Sequence, residues 1–354
     1  MTSEILATMR AAIIEEGRKF EIKSHAVPVV GDNDILVKTV AVALNPTDWK
    51  HVAYSAGIPG SILGCDFSGT VVKVGSAVQT VSVGQSVTGF VHGGLFPDEG
   101  AFAEYVKTQS DLVLVIPEDT LTHEEAAAIG CAFWTAVQAL FHPTRLGLTE
   151  PPAKTSNDEW ILVYGGSTAV SQSAVQLATL AGYKVVSTAS PHNFEFVKSL
   201  RASAVFDYHA PDVVGQIKVA TGDGVVHAMD SIPSVDPLRI CAESIGPAGG
   251  NVVQLVLAPV PGVTERKDVA FKPALIYSAL GREWVLPNGT TFPVSEGGRT
   301  HMVSFLKKLP ELVKSGAVKP LPIKHWEGGL DGIADGLQYM RDGKVGAEKI
   351  VYRL

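Results

Sequence analysis

Short apolar runs separated by turn residues dominate the first third of the chain. Ile35-Leu36-Val37-Lys38-Thr39-Val40-Ala41-Val42 and Gly69-Thr70-Val71-Val72-Lys73-Val74 are β-branched runs bounded by turn signals, and Val83-Gly84-Gln85-Ser86-Val87-Thr88-Gly89 continues the pattern. From Met9 to about Val115 this spacing predicts closely set strands forming a small β-barrel-like domain. The texture changes at Thr122. Thr122-His123-Glu124-Glu125 has the form of an N-cap and capping box and predicts a helix running through Ala126 to Ile129 and beyond. Pro143 to Glu159 is polar and proline-rich, and predicts a surface loop. Strand and helix patterns then alternate: Trp160 to Tyr164, a helix over Ser171–Leu180, a strand over Tyr183–Ala189, a helix over Phe194–Leu200, and strands at Val205-Phe206, Val225 to Met229 and Asn251 to Leu255. Such alternation predicts right-handed βαβ units and a parallel sheet. From about Ala274 the chain mixes a helix over Met302–Lys314 with a closing strand, Lys349-Ile350-Val351-Tyr352. The expected fold class is α/β, and no internal repeat interrupts it.

Composition supports a folded two-domain chain. The 354 residues suffice for two cores, and 46% hydrophobic with 18% charged residues excludes a disordered chain. The 35 glycines and 21 prolines are scattered, so they read as turn chemistry. A formal charge of −7 without any Lys/Arg-rich run argues against a nucleic-acid partner. No stretch has the length of a membrane-spanning helix, and Met1 to Arg10 lacks the apolar core of a secretory leader, so a soluble cytoplasmic protein is expected. The three cysteines, Cys65, Cys131 and Cys241, are far apart and read as buried free thiols. Neither a C-x-x-C pair nor a His/Cys cluster suggests a metal site or a disulfide framework.

The segment that carries chemistry is Val163-Tyr164-Gly165-Gly166-Ser167-Thr168-Ala169-Val170-Ser171, a strand entering a glycine turn and then a helix. Glycines let the backbone approach a pyrophosphate, and the helix N-terminus stabilises its charge. Thr168, Ala169 and Val170 stand where further glycines usually fall, so by itself the motif is equally compatible with a structural turn. Its place at the first turn of the alternation points to a dinucleotide, with Ser167, Thr168, Ala169 and Val170 at the pyrophosphate. An NAD site normally carries an Asp or Glu about 20 residues further on. Here Ser190-Pro191-His192-Asn193 follows the next strand, with no carboxylate before Glu195. Hydroxyl, imidazole and amide groups can donate to a 2′-phosphate that a carboxylate would repel, so NADPH is the expected cofactor. Ser190 or Asn193 acting only as a helix N-cap is the alternative.

Taken together, the chain resembles the medium-chain dehydrogenase/reductase family along essentially its whole length. The markers are Ala43-Leu44-Asn45-Pro46-Thr47-Asp48-Trp49-Lys50, Gly64-Cys65-Asp66-Phe67-Ser68-Gly69, Gly100-Ala101-Phe102-Ala103-Glu104-Tyr105 and Gly346-Ala347-Glu348-Lys349-Ile350-Val351. The turn after Tyr164, the Ser190-to-Phe194 segment, Phe206-Asp207-Tyr208 and the polar loop at Pro143 to Glu159 look closest to fungal trans-acting polyketide enoyl reductases. The resemblance implies a GroES-like β-barrel catalytic domain (1–125 and 275–354) and a Rossmann-type doubly wound NADPH-binding domain (126–274). Zinc-dependent members carry Gly-His-Glu where this chain has Gly64-Cys65-Asp66, and a four-cysteine lobe that is missing here. No metal is therefore expected, and Cys65 and Asp66 are expected to pack or hydrogen-bond beneath the barrel.

By position, the resemblance implies Thr47, Asp48, Trp49 and Lys50 beside the nicotinamide ribose, and Ser190, Pro191, His192, Asn193 and Tyr208 around the adenosine and its phosphate. Leu255 and Val256 would present backbone to the nicotinamide, and Val345 and Gly346 would close over the cofactor. The acyl chain would enter along Ala136 to Pro143 and Ile276 to Leu280. The implied reaction is enoyl-thioester reduction, hydride going to the β-carbon, with a polyketide synthase as the partner acting in trans. Lys50 and Thr135 are the catalytic candidates: Lys50 to orient the ribose and stabilise the enolate, Thr135 to hydrogen-bond the thioester oxygen. A solvated Lys50, and a Thr135 hydroxyl bonded to its own backbone, are the structural alternatives. His51 is expected at the surface, and His92 and His301 have no telling sequence neighbours. A quinone or enone reductase acting on small free substrates, or a non-catalytic NADPH-binding protein, are the competing functions. A monomer is expected, because Pro259 to Lys272 is polar, proline-interrupted and poor material for edge pairing.

Overall fold

The alternating pattern near the N-terminus becomes an antiparallel hairpin of β1 (Thr8–Glu15) and β2 (Lys19–Ala26), turning at Gly17 and Arg18, both at positive φ. The computed structural model describes residues 5–232, 234–256 and 260–354. The first four positions of the segment read for a leader, and Pro259 of the segment read against edge pairing, lie outside them. By internal contacts the chain forms two compact units, one running to Ala132 and resuming over Tyr277–Leu354, the other Phe133–Ile276.

In the first unit, β3 (Asp34–Ala43) is followed by a short helix, α1 (Pro46–Ala53), which the strand-dominated reading of this region did not separate. Its cause is local: Pro46 is preset for a first helical turn, and the Asp48 carboxylate accepts the Asn45 N–H at 2.7 Å. Then come β4 (Asp66–Val74), β5 (Ser86–Phe90), β6 (Tyr105–Gln109) and β7 (Val113–Val115). The capping box at Thr122 forms as the sequence suggests. Thr122 Oγ1 accepts the Glu125 N–H at 3.2 Å, and Glu125 returns a carboxylate to the Thr122 N–H at 2.9 Å. The resulting α2 (His123–Ala127) stops earlier than expected, and α3 (Cys131–Phe141) begins after Gly130. A Cβ on Gly130 would lie 2.2 Å from Asp66 Oδ1, so the break brings backbone against that carboxylate.

The second unit is a parallel sheet with its helices: β8 (Trp160–Tyr164), α4 (Ala169–Leu180), β9 (Lys184–Ala189), α5 (Phe194–Ser199), β10 (Ala204–Asp207), α6 (Val213–Thr221), β11 (His227–Asp230), α7 (Val235–Glu243), β12 (Gly250–Gln254) and β13 (Val269–Pro273). Its strand order is β10-β9-β8-β11-β12-β13, the doubly wound arrangement that reverses direction beside the first strand. Val186, Leu162, Ala228 and Val252 stand in register across four of its strands, all wholly buried. β13 is the edge strand, pairing Val269 to Pro273 with β12, so part of the region read as poor pairing material does enter the sheet. Pro273, which has no N–H, falls at its last position, as edge strands tolerate.

Back in the first unit, β14 (Trp284–Val285) and β15 (Thr291–Phe292) form a small hairpin. The single helix expected over Met302–Lys314 is two, α8 (Glu296–Leu306) and α9 (Leu309–Lys314). Pro310 has no N–H to continue one helix, and sits instead in the first turn of the second. β16 (Ile323–His325), α10 (Ile333–Arg341) and β17 (Lys349–Arg353) complete a seven-stranded sheet, in which β17 lies antiparallel to β3.

Beneath this sheet the Asp66 carboxylate is fully buried. Oδ2 accepts from Asn45 Nδ2 at 2.8 Å and lies 3.0 Å from Lys349 Nζ, Oδ1 accepts the Cys131 N–H at 2.6 Å, and Lys349 Nζ also donates to Asn45 Oδ1 at 2.5 Å. Removing one partner of a buried ion pair leaves the other charge without compensation. Lys349→Met should therefore cost about 3–5 kcal/mol, read as a drop in urea midpoint at pH 7. A change of under about 1 kcal/mol would show that the pair behaves like a solvated one.

Candidate functional site

The glycine turn lies at the carboxyl end of β8, between β9 and β11, where the strand order of the parallel sheet reverses. Gly165 takes φ +71°, and its N–H donates to Thr188 Oγ1 at 3.0 Å, while the Gly166 N–H donates to the Thr188 carbonyl at 2.8 Å. A Cβ on Gly166 would meet Ser187 Oγ at 2.3 Å, so this glycine sets the close approach of turn and strand. Thr168 caps α4, its Oγ1 accepting the Ser171 N–H at 3.2 Å. The first-turn N–H groups of Ala169 and Val170 have no intrahelical acceptor. Ser167, Thr168, Ala169 and Val170 are all partly exposed.

What replaces the missing glycines is a hydroxyl network absent from the sequence argument. Ser231, just after β11, shares hydrogen bonds with Thr168 Oγ1 at 2.8 Å and Ser171 Oγ at 2.9 Å, and Ser171 Oγ donates to the Tyr164 carbonyl at 3.0 Å. These bonds tie the ends of β8 and β11 to the start of the helix. The Gln172 amide holds the Ser167 carbonyl at 2.8 Å. The residue types give this away only once strand order makes Ser231 a neighbour of the turn. A tight turn, an open helix N-terminus and a fixed crevice fit a dinucleotide pyrophosphate.

At the end of β9, Ser190 and Asn193 precede helical turns, but neither side chain makes a capping hydrogen bond. The Ser190 hydroxyl instead meets Tyr208 Oη at 3.1 Å, bringing together two residues expected around the adenosine. Pro191 and His192 are exposed. Glu195 pairs with Lys198 at 2.9 Å, and Asp207 faces His209 at 3.1 Å. Leu255 and Val256 follow the end of β12, half-buried, with the Val256 carbonyl accepting from Gln254 Nε2 at 3.2 Å.

Asp230 closes β11 beside this turn and was not anticipated. It is wholly buried. Oδ1 accepts the Ile232 N–H at 2.8 Å, Oδ2 has no hydrogen-bond partner among the described residues, and burial pushes the carboxyl up to about 7.

In the first unit, Thr47, Asp48, Trp49 and Lys50 share α1 but face different ways. Asp48 is fully buried, with Oδ1 unpartnered, and burial raises its carboxyl to about 7. Lys50 is exposed, its ammonium 5.7 Å from the centre of the Trp49 ring, and Arg341 approaches the same ring at 5.9 Å. Val345 and Gly346 lie in the loop between α10 and β17, Val345 packed on the barrel core and Gly346 exposed. Thr135, on α3, is nearly buried. His51 is not at the surface as expected. It is 6% exposed, and Nδ1 lies 2.9 Å from the Thr47 carbonyl, because the helical repeat turns it under the sheet. His92 is buried as well, in an aromatic cluster that no local sequence pattern revealed. Among the described residues, no group of three or more His, Cys, Asp or Glu side chains could hold a metal ion, and no helix is long and apolar enough to cross a membrane.

Comparison with known proteins agrees with this architecture. An alcohol dehydrogenase GroES-like domain matches residues 31–118, and a zinc-binding dehydrogenase domain matches residues 169–283. A trans-enoyl reductase of Alternaria alternata is 37% identical over 99% of this chain and 100% of its own length. A second, from Thermothelomyces thermophilus, is 39% identical over 93% of this chain and 92% of its own. An alcohol dehydrogenase superfamily protein of Novosphingobium aromaticivorans superposes with a TM-score of 0.77 at 23% identity, covering 98% of this chain and 100% of that one. Barrel sheet, doubly wound sheet and glycine turn thus define a medium-chain dehydrogenase/reductase, a class that uses a nicotinamide cofactor. Within that class the chain belongs to the family of the trans-enoyl reductases.

The Asp230 carboxyl has a direct consequence for stability. Its folded-state value is raised above the ordinary carboxylate range, so the folded protein holds an extra proton between about pH 4 and 7. The associated stability is present below that window and is lost as pH rises through it. Asp230→Asn should flatten this dependence, its stability relative to wild type improving by roughly 2–3 kcal/mol from pH 5 to pH 8. Urea unfolding at the two pH values measures it, and an offset that does not change with pH would refute the assignment.

Proposed function

We propose that the protein reduces the carbon–carbon double bond of an α,β-unsaturated acyl thioester with NADPH, hydride going to the β-carbon, on a substrate presented by a polyketide synthase acting in trans. The observation that carries this reading is the near-full-length relationship to trans-enoyl reductases. NADPH over NADH is supported by the end of β9. There Ser190 and Tyr208 present hydroxyls, His192 is exposed, and the nearest carboxylates, Glu195 and Asp207, are turned to Lys198 and His209. The bound nicotinamide supplies the hydride. Thr47, Asp48, Trp49, Lys50, Ser167 to Val170, Ser190 to Asn193, Tyr208, Leu255, Val256, Val345 and Gly346 are the proposed cofactor contacts. The protein is read as a cytoplasmic monomer.

Lys50 is proposed to stabilise negative charge developing on the substrate side, which an exposed ammonium without a carboxylate partner among the described residues can do. Thr135 is proposed as the donor to the thioester oxygen. Zinc is not part of the reading. Asp66 is saturated by Asn45, Lys349 and the Cys131 N–H, and burial, reinforced by nearby Asp48, keeps the Cys65 thiol protonated. Neither can serve as a ligand without dismantling the barrel's polar core.

Two measurements test this. With crotonyl-pantetheine as substrate, NADPH should support turnover at least tenfold more efficiently than NADH, and equal efficiency would overturn the phosphate-recognition reading. Lys50→Ser and Thr135→Val should each lower turnover at saturating substrate by about 10²–10³; Thr135→Val should keep NADPH binding, followed by fluorescence energy transfer, whereas Lys50→Ser, losing a ribose contact, should also weaken it. Wild-type turnover in either variant removes that residue from the chemistry. Faster turnover of a simple quinone than of the thioester would favour the small-substrate alternative.

A further inference from the structure

The source of the proton that enolate chemistry needs is left open by Lys50 and Thr135, and the first unit holds a buried polar cluster that the reading above does not use. At its centre is Tyr277, in a 3-10 turn over Ile276–Leu280. Its hydroxyl meets Thr47 Oγ1 at 2.5 Å and lies 3.9 Å from Cys65 Sγ. Its ring stacks on His92 with centroids 3.9 Å apart and planes 18° from parallel, and Phe90, His51 and Trp284 approach at 5.4, 6.0 and 6.2 Å. Those aromatic contacts fix the ring, so the direction of the hydroxyl is set. Tyr277 itself keeps some exposed surface. Behind Thr47 lies His51, its Nδ1 3.4 Å from Thr47 Oγ1 and 2.9 Å from the Thr47 carbonyl.

Such a cluster is costly to bury. Burial holds His51 at about 4 and His92 well below its ordinary value, so both imidazoles are neutral, and His92 Nδ1 has no hydrogen-bond partner among the described residues. An apolar core would be cheaper, and perturbed titratable groups gathered in one place mark functional sites more often than structural ones. The cluster also joins two segments to which the family resemblance gives different contacts. Thr47 belongs to the stretch expected beside the nicotinamide ribose, and Tyr277 to the stretch expected along the acyl chain.

We propose that Tyr277 delivers the proton to the substrate α-carbon, with Thr47 as its positioning and resupplying partner; this rests on the enoyl-reductase reading above. The enolate electron pair forms the new C–H bond with the phenolic proton, and the O–H pair stays on Tyr277 as phenolate. Thr47 returns a proton to that oxygen and is itself reprotonated from solvent, while the His51 Nδ1–H, donated to the Thr47 carbonyl at 2.9 Å, holds Thr47 in place. The net proton comes from solvent, and nothing is oxidised beyond the cofactor.

The test is reduction of crotonyl-pantetheine in D₂O by wild type, Tyr277→Phe and Thr47→Val, with NADPH binding measured in parallel. Tyr277→Phe should bind NADPH within about twofold of wild type and lose about 10²–10³ in kcat. The residual product should carry deuterium on both faces of the α-carbon, where wild type labels one. Thr47→Val should lose roughly tenfold in kcat and keep the single-face label, since solvent can still reprotonate the phenolate; it also serves if Tyr277→Phe does not fold. Full kcat in Tyr277→Phe overturns the role, as does a reduced kcat with single-face labelling intact, and so does full kcat in Thr47→Val when Tyr277→Phe is unfolded. An inactive wild type instead overturns the enoyl-reductase reading itself, and this role with it.

Discussion

Asp66 is cut off from water, and its contacts come from three separate stretches of the first unit: the Asn45 side chain before α1, the Cys131 backbone before α3, and the Lys349 ammonium on the last strand. A charge in that position is tolerable only while all of them are in place. The arrangement therefore ties the start of α1, the helix break at Gly130 and the return of β17 into one structural decision. It fixes where α1 begins, and hence where Thr47 and Lys50 stand.

The second unit solves a different problem with hydroxyls. A dinucleotide turn needs backbone close to the ligand and a rigid junction between strand and helix. Gly165 and Gly166 supply the turn and the close approach. In place of a third glycine, Ser171, Ser231 and Thr168 cross-link the ends of β8 and β11 to the helix cap. The crevice is thus rigid without the usual sequence signature. Asp230 sits beside it with one carboxylate oxygen unmatched, a local cost that the wholly buried row of Val186, Leu162, Ala228 and Val252 helps to offset.

The two units differ in what they hold. The parallel sheet has the glycine turn with its helix-terminal N–H groups and the Ser190–Tyr208 pair. The barrel unit has an exposed Lys50, a caged Tyr277 and two neutral buried imidazoles.

How much of this could be read from residues alone depends on range. The βαβ alternation, the capping box at Thr122, the glycine turn and the missing carboxylate after β9 are local patterns, and all were legible because the forces behind them act within a few residues. The end of α2 and the split between α8 and α9 were only partly legible, since the first depends on Asp66, a distant residue, and the second on a single proline. His51, His92, Tyr277 and Ser231 were invisible as partners. Each makes sense only after strand order and helix rotation bring residues tens or hundreds of positions apart within hydrogen-bond or stacking distance, as with Thr47 and Tyr277. The sequence by itself determined the two kinds of element and the cofactor class. Which buried polar groups meet, and so where protons can move, was decided only by tertiary packing, because burial and pairing are properties of neighbours the chain order does not contain.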